Sequence, residues 1–154
     1  MNSVRKVDQN ALRVNQAFII VLLLLAYIVG IPALVVFVAA VMLIGAAIPD
    51  LRLFVWIYRH IFLPTGLITP DVYEDNPEPH RFAMLLGGIF LAASTICLFA
   101  LEATSLGWVL AILVVVLAAL NLFLGFCAGC FVYYQLNKLG VPGFDRAPIQ
   151  RTLS

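Results

Sequence analysis

Uncharged hydrophobic sequence dominates the chain and breaks in only a few places. Ala17 to Ile48 is 32 residues without a charge. As one helix it would measure about 48 Å at 1.5 Å per residue, against a hydrocarbon core about 30 Å thick. Gly30 and Pro32 interrupt the run near its middle, as a tight turn would. The pattern therefore predicts two helices, about 15–30 and 33–48, with polar Asn15 and Gln16 leading the first. Phe82 to Leu101 gives a third span, about 82–101. Trp108 opens a fourth, about 108–134, which stays helix-compatible until Gly140 and Pro142 stop it. A loop of residues 49–81 and a tail of residues 140–154 remain.

The 49–81 loop has two parts. Leu51, Phe54, Val55, Tyr58, Ile61 and Phe62 recur at helical spacing, with Arg52 and Arg59 off that stripe. They predict a short helix capped by Asp50, lying in the headgroup plane or packed on the bundle. From Leu63 to Arg81 come four prolines and the acidic residues Asp71, Glu74, Asp75 and Glu78, a pattern that reads as an extended, solvated loop. The tail after Gly140 is expected to be poorly ordered.

Composition fixes the class. The chain is 64% hydrophobic and 11% charged, with a mean hydropathy of +1.07. A soluble domain carries about 25% charged residues, so this is an integral membrane protein. The expected fold is an all-α membrane protein: four transmembrane helices and a short interfacial helix between spans 2 and 3, as a single domain over 1–154. The first thirty residues resemble a signal peptide, but no A-x-A-like site follows, so an uncleaved first span is expected. All nine basic residues (Arg5, Lys6, Arg13, Arg52, Arg59, Arg81, Lys138, Arg146 and Arg151) fall on one side if there are four spans. With three spans they split three against six. The positive-inside rule selects four, with both termini cytoplasmic.

The candidate chemistry is a pair of thiols. Gly125-Phe126-Cys127-Ala128-Gly129-Cys130 places two cysteines three residues apart near the inner end of span 4. The third, Cys97, lies near the outer end of span 3, about 20 Å away along the helical rise, too far for a disulfide. On a continuous helix Phe123, Cys127, Cys130 and Tyr134 share one stripe, and Asn121, Gly125, Ala128, Val132 and Gln135 the opposite one. Gly125-xxx-Gly129 is a small-xxx-small pattern suited to close helix packing. Asn121 near mid-membrane needs a hydrogen-bond partner. Tyr133 and Tyr134 suit an interfacial aromatic belt.

A dithiol late in a continuous helix is a poor redox centre. The helix C-terminal end disfavours a thiolate, burial raises its pKa, and an i,i+3 disulfide is strained there. Gly129 could relieve the backbone, and Arg13, Arg81 or Lys138 could supply positive charge. Cys127 and Cys130 with His60 and His80 would make a Cys2His2 set, but both histidines read first as interfacial side chains, so no metal is assigned. There is no Ser-His-Asp set, phosphate loop, HExxH or nucleic-acid patch, and no pair of intramembrane carboxylates. No cofactor is implied.

The segments Asp8 to Gln16 (D-Q-N-A-L-R-V-N-Q), Pro79-His80-Arg81-Phe82-Ala83 and Asn121-xxx-Gly125-Phe126-Cys127-Ala128-Gly129-Cys130-xx-Tyr133 resemble the bacterial membrane family called "domain of unknown function 4395". The resemblance covers nearly the whole chain. It implies a four-span protein of the bacterial inner (cytoplasmic) membrane, with thioredoxin-like and sulfurtransferase neighbours. It marks Asn121, Cys127, Cys130, Arg13, Arg81 and Phe82 as motif positions without roles; Met84 stands where the family often has Gln. The leading expectation is a thiol- or sulfur-handling protein. Its Cys127–Cys130 pair would relay electrons or sulfane sulfur to a cytoplasmic thioredoxin-like or rhodanese-like partner. Two alternatives stand beside it. One is a small transporter of a sulfur compound, its path lined by Asn121, Ser94 and Thr95. The other is a structural subunit of a larger membrane complex. The bilayer is a partner in each, and nucleic acid in none.

Overall fold

The computed structural model describes residues 6–144. Arg5, Arg146, Arg151 and most of the tail lie outside them. The order is β1 (Lys6–Asp8), α1 (Gln9–Val29), α2 (Ala33–Ala47), α3 (Leu53–Ile57), β2 (Val72–Glu74), α4 (Pro77–Phe99), α5 (Thr104–Leu124) and α6 (Ala128–Lys138). A 3-10 turn at Pro49–Leu51 precedes α3, and a π turn at Tyr58–Phe62 follows it. The chain is mostly helical. α1, α4 and α5 are long and apolar enough to cross a membrane, whereas α2 has 15 residues and falls short of the usual length.

The α1–α2 turn falls where the glycine and proline predicted it. Gly30 takes a left-handed conformation (φ 73°) and closes α1, and Pro32 leads α2. The predicted helix at Leu51–Phe62 becomes three pieces, and Asp50 makes no side-chain cap. Its Phe54 and Tyr58 are buried, and Phe54 stacks on Phe18 of α1, while Trp56 and Ile61 stay exposed.

The 49–81 loop is less extended than its prolines suggested. β2 pairs antiparallel with β1, Lys6 opposite Glu74 and Asp8 opposite Val72, a two-stranded ribbon that the all-helical expectation missed. Asp8 secures it. One carboxylate oxygen accepts the backbone N–H groups of Asn10, Ala11 and Asp71, capping α1 and holding the loop with one side chain. α4 starts five residues before the hydrophobic run, at Pro77, because proline at a first helical position loses no bond. Arg81 reaches back to the carbonyl oxygens of Ala46 and Ala47 at the end of α2, and Arg52 donates to Gly45 O. These cations satisfy carbonyls that α2 leaves open. Arg81 is therefore a helix-end clamp.

Small residues let the helices approach. A Cβ on Gly87 would lie 2.5 Å from the Met42 methyl, and one on Gly88 2.8 Å from Leu43, so α2 and α4 pack nearly backbone to backbone. Ser94 is fully buried and donates to Gly107 O, tying α4 to α5. Ile19, Leu23, Val35, Val38, Leu91 and Val114 fill the centre.

The largest departure is in the fourth predicted span. The helix does not run on to Gly140. α5 ends at Leu124, Gly125 turns left-handed (φ 66°), and α6 starts at Ala128. The stripes drawn on a continuous helix across this point do not exist. Gly125 has nothing within 4 Å of its would-be Cβ, so it is a helix terminator and not half of a packing motif. Gly129 alone packs: a Cβ there would sit 2.5 Å from Ala83 Cα and Cβ of α4. Tyr133 is buried among Phe82, Tyr134 and Phe144, not in an interfacial belt. Phe144 also packs on Phe82, so the start of the tail folds back on the bundle.

The two glycines should resist substitution for different physical reasons. Gly129→Ala forces α6 off α4 and should cost about 1–3 kcal/mol by overpacking. Gly125→Ala meets no neighbour and should cost only the left-handed strain, about 1–2 kcal/mol. Thermal midpoints in detergent check this. Equal midpoints for wild type and Gly129→Ala would remove the packing argument.

Candidate functional site

The break at Gly125 reorients the cysteines. Cys127 is the N-cap of α6, with extended backbone, and its Sγ accepts the Cys130 N–H at 3.2 Å. The sequence reading put the pair near a helix C-terminus, where a thiolate is disfavoured. The structure puts it at a helix N-terminus, where the dipole and free N–H groups favour one. Cys127 and Cys130 are joined as a disulfide, with Cα atoms 5.1 Å apart. A helix beginning at the first cysteine accommodates that bridge, so Gly129 is not needed to bend the backbone. Cys97 is free and buried near the far end of α4. His80, which touches Cys130, is 17 residues earlier on the same helix, about 25 Å by helical rise.

The sequence reading set His80 aside, and the structure brings it to the sulfurs. His80 Nδ1 lies 3.5 Å from Cys130 Sγ, and His80 Nε2 lies 3.1 Å from Asp75 Oδ2. The order is carboxylate, imidazole, sulfur, with Asp75 fixing the ring so that Nδ1 faces Cys130. The signal available in sequence was the spacing of Asp75 and His80 across Pro77, the start of a helix. Burial pushes the Asp75 carboxyl up. Hydrogen bonds from His80, the Asn76 N–H and Tyr73, with the His80 charge, outweigh it and hold the group below its ordinary value. His60 is not part of the site; it bonds Trp56 O and stacks on the Trp56 ring.

His80, Cys127 and Cys130 each offer a donor atom within 4.8 Å of the others. Reduced, they would form a three-ligand set for a soft or borderline cation. Joined as a disulfide, the sulfurs are not thiolate ligands.

Two cavities meet at the disulfide. One, about 410 Å³, has mixed polar and apolar walls and is lined by Arg13, Gln16, Tyr73, Asp75, His80, Phe126, Phe131 and both cysteines among others. The other, about 270 Å³, is largely apolar and runs inward between α1, α4 and α5. Cys127, His80, Gln16 and Asn121 line both. Arg13 is the one of the three candidate cations that lines either cavity. Ser94 and Thr95, expected to line a transport path, bond Gly107 O and Leu91 O and face neither cavity. Phe82 packs on Tyr133, which seats α6 on α4 beside the site.

These features define a helical protein with three membrane-length apolar helices and a C-x-x-C disulfide at a helix N-terminus, backed by a histidine. The family described as Domain of unknown function (DUF4395) matches residues 7–138, and the chain belongs to that family. No curated protein and no solved structure matches it.

The Asp75–His80 pair should make stability depend on pH. A carboxyl held below its unfolded value of about 3.9 stabilises the fold above that pH and loses the contribution as pH falls through its folded value. Asp75→Asn should therefore melt below wild type at neutral pH, and the gap should close as the pH falls below about 4. A gap unchanged down to pH 3 would show that Asp75 contributes nothing as a carboxylate.

Proposed function

We propose that this protein is a membrane thiol–disulfide oxidoreductase whose Cys127–Cys130 disulfide accepts two electrons from a partner dithiol. The observation that carries the reading is the disulfide at the α6 N-terminus with His80 against Cys130 and Asp75 behind His80. Cys127 is half-buried and lines both cavities, while Cys130 is buried, so Cys127 is the sulfur a partner reaches.

The exchange proceeds in two steps. A partner thiolate attacks Cys127 Sγ, the S–S bond breaks, and Cys130 leaves as a thiolate that takes a proton from protonated His80. The partner's second thiolate then attacks its own sulfur in the mixed disulfide and releases Cys127 as a thiolate at the N-cap. The partner ends oxidised and the Cys127–Cys130 pair ends reduced by two electrons. The N-cap position and the Cys130 N–H favour that leaving thiolate. The larger cleft, with Arg13, Tyr73, Phe126 and Phe131 in its walls, gives a thioredoxin-like partner a mixed surface beside Cys127.

The proposed membrane arrangement has four crossings in the bacterial inner membrane, with both termini cytoplasmic. α2 is the short crossing, and the α3 segment lies at the headgroup level. Two observations support it. The β1–β2 ribbon and the Arg81 clamp bring the start of α1, the end of α2 and the start of α4 to one end of the bundle. Lys6, Arg13, Arg52, Arg59 and Arg81 all lie in those segments or in the ribbon and loop joined to them, as the positive-inside rule requires of a cytoplasmic end.

Two experiments test the proposal. In a background without native cysteines, a cysteine at the exposed position Ser105 should react with an impermeant maleimide in intact cells, and one at exposed Thr65 should not. Labelling at Thr65 alone would reverse the orientation. For the chemistry, reduced thioredoxin should open the disulfide of the purified protein. Mass-tag alkylation should then gain two thiols in wild type and Cys97→Ser. His80→Ala should slow the step about a hundredfold or more, the lower end of the range of general acid catalysis. Full retention of the disulfide under thioredoxin, or gain of the tags only after unfolding, would reject the reading.

A further inference from the structure

The larger cleft accounts for electrons arriving at the disulfide. The second cavity shares Cys127 with it and extends between α1, α4 and α5. On α5 its lining runs from Asn121 back to Val114, and on α4 from His80 to Phe90. Seven and ten residues of helix put its floor about 10–15 Å from the disulfide level. Its walls are mainly aliphatic, from Ile19, Met42, Leu86, Leu117 and Ala118 among others, and no carboxylate among the described residues lines it. Its polar groups gather at the sulfur end: the amides of Asn15, Gln16 and Asn121, with His80 and Arg52. Asn15 is 6% exposed, and its Oδ1 is buried without a partner among the described residues. A buried amide oxygen left unpaired is costly, and a small side-chain rotation at this wall would bring the Asn15 amide to a molecule in the cavity.

Resting on the oxidoreductase reading, we infer that this cavity binds the ring of a membrane-soluble quinone, which reoxidises the Cys127–Cys130 dithiol. The chemical class follows from the lining. An apolar cavity in the membrane-spanning part of a bundle admits a lipophilic, uncharged molecule. A sulfur at its wall requires one that takes two electrons. Side-chain amides suit both redox states, since the oxygen accepts from a quinol hydroxyl and the NH2 donates to a quinone carbonyl.

The step balances. The Cys130 S–H bond breaks and one S–S bond forms to the Cys127 thiolate. Two electrons pass to the quinone with the Cys130 proton and one proton from water in the cleft, giving a quinol. His80 takes the Cys130 proton at Nδ1 and returns it to the quinone side through the wall that it shares with the cavity. Dithiols are stronger reductants than quinols, so the direction is from partner dithiol to quinone.

The test uses the full chain in detergent, reduced and freed of reductant without oxygen. The probe is a short-tailed benzoquinone with every ring position substituted, so that thiols cannot add to it. One quinone should be consumed per protein, with saturation, as two mass-tag thiols disappear. The redox-inert dimethyl ether of the same quinol should compete. Asn15→Leu should raise the half-saturating quinone concentration about tenfold, the size of one lost hydrogen bond. It also removes an unpaired buried oxygen, so it should fold. Three results separate the readings. If thioredoxin fails to reduce wild type, the oxidoreductase reading falls and this inference with it. If thioredoxin reduces it but the quinone does not reoxidise it, only the quinone inference falls. If oxidation is unsaturable, or is untouched by both the ether and Asn15→Leu, the reaction is outside the cavity and the inference is overturned.

Discussion

One left-handed residue organises the functional half of this molecule. Gly125 ends α5 and frees Phe126 and Cys127 from helical geometry, so that α6 begins at the cysteine pair. Had the helix continued, Cys127 and Cys130 would share a helical face near its C-terminus, with the dipole against a thiolate and the backbone against a disulfide. The turn reverses both effects. A residue with a Cβ pays about 1–2 kcal/mol in that conformation, which is why glycine stands there.

Everything that completes the site comes from the start of α4. Pro77 begins that helix early and places His80 one turn in, while Asp75 remains just outside to hold the far ring nitrogen. Gly129 lets α6 lie against Ala83, and Phe82 packs on Tyr133 next to it. Packing between α4 and α6 therefore sets the distance between imidazole and sulfur. The same bundle keeps α1 close enough to bring Asn15 and Gln16 to the cavity wall.

Polar groups in this bundle serve two ends. Arg81, Arg52, Ser94 and Asp8 each satisfy backbone groups at helix ends or contacts, where an apolar environment makes an unpaired group expensive. Asn15, Gln16, Asn121 and His80 instead meet around one disulfide and two cavities. The distinction separates residues that hold the fold from those that line the cavities, with Arg52 doing both, although the two sets are alike in sequence.

The sequence by itself determined the membrane character, the hairpin at Gly30 and Pro32, the helices through residues 82–99 and 108–124, and the separateness of Cys97. These follow from local hydrophobicity and from residues whose backbone preference is strong. It also singled out Cys127 and Cys130. Tertiary structure decided that the fourth predicted helix breaks, that β1 pairs with β2, that Arg81 clamps a helix end, and that His80 and Asp75 reach the sulfurs. A glycine in an apolar run is compatible with either a continuous helix or a left-handed stop, and only its neighbours in space select one. Likewise a histidine 50 residues from a cysteine carries no signal of contact until two helices pack and bring them to 3.5 Å.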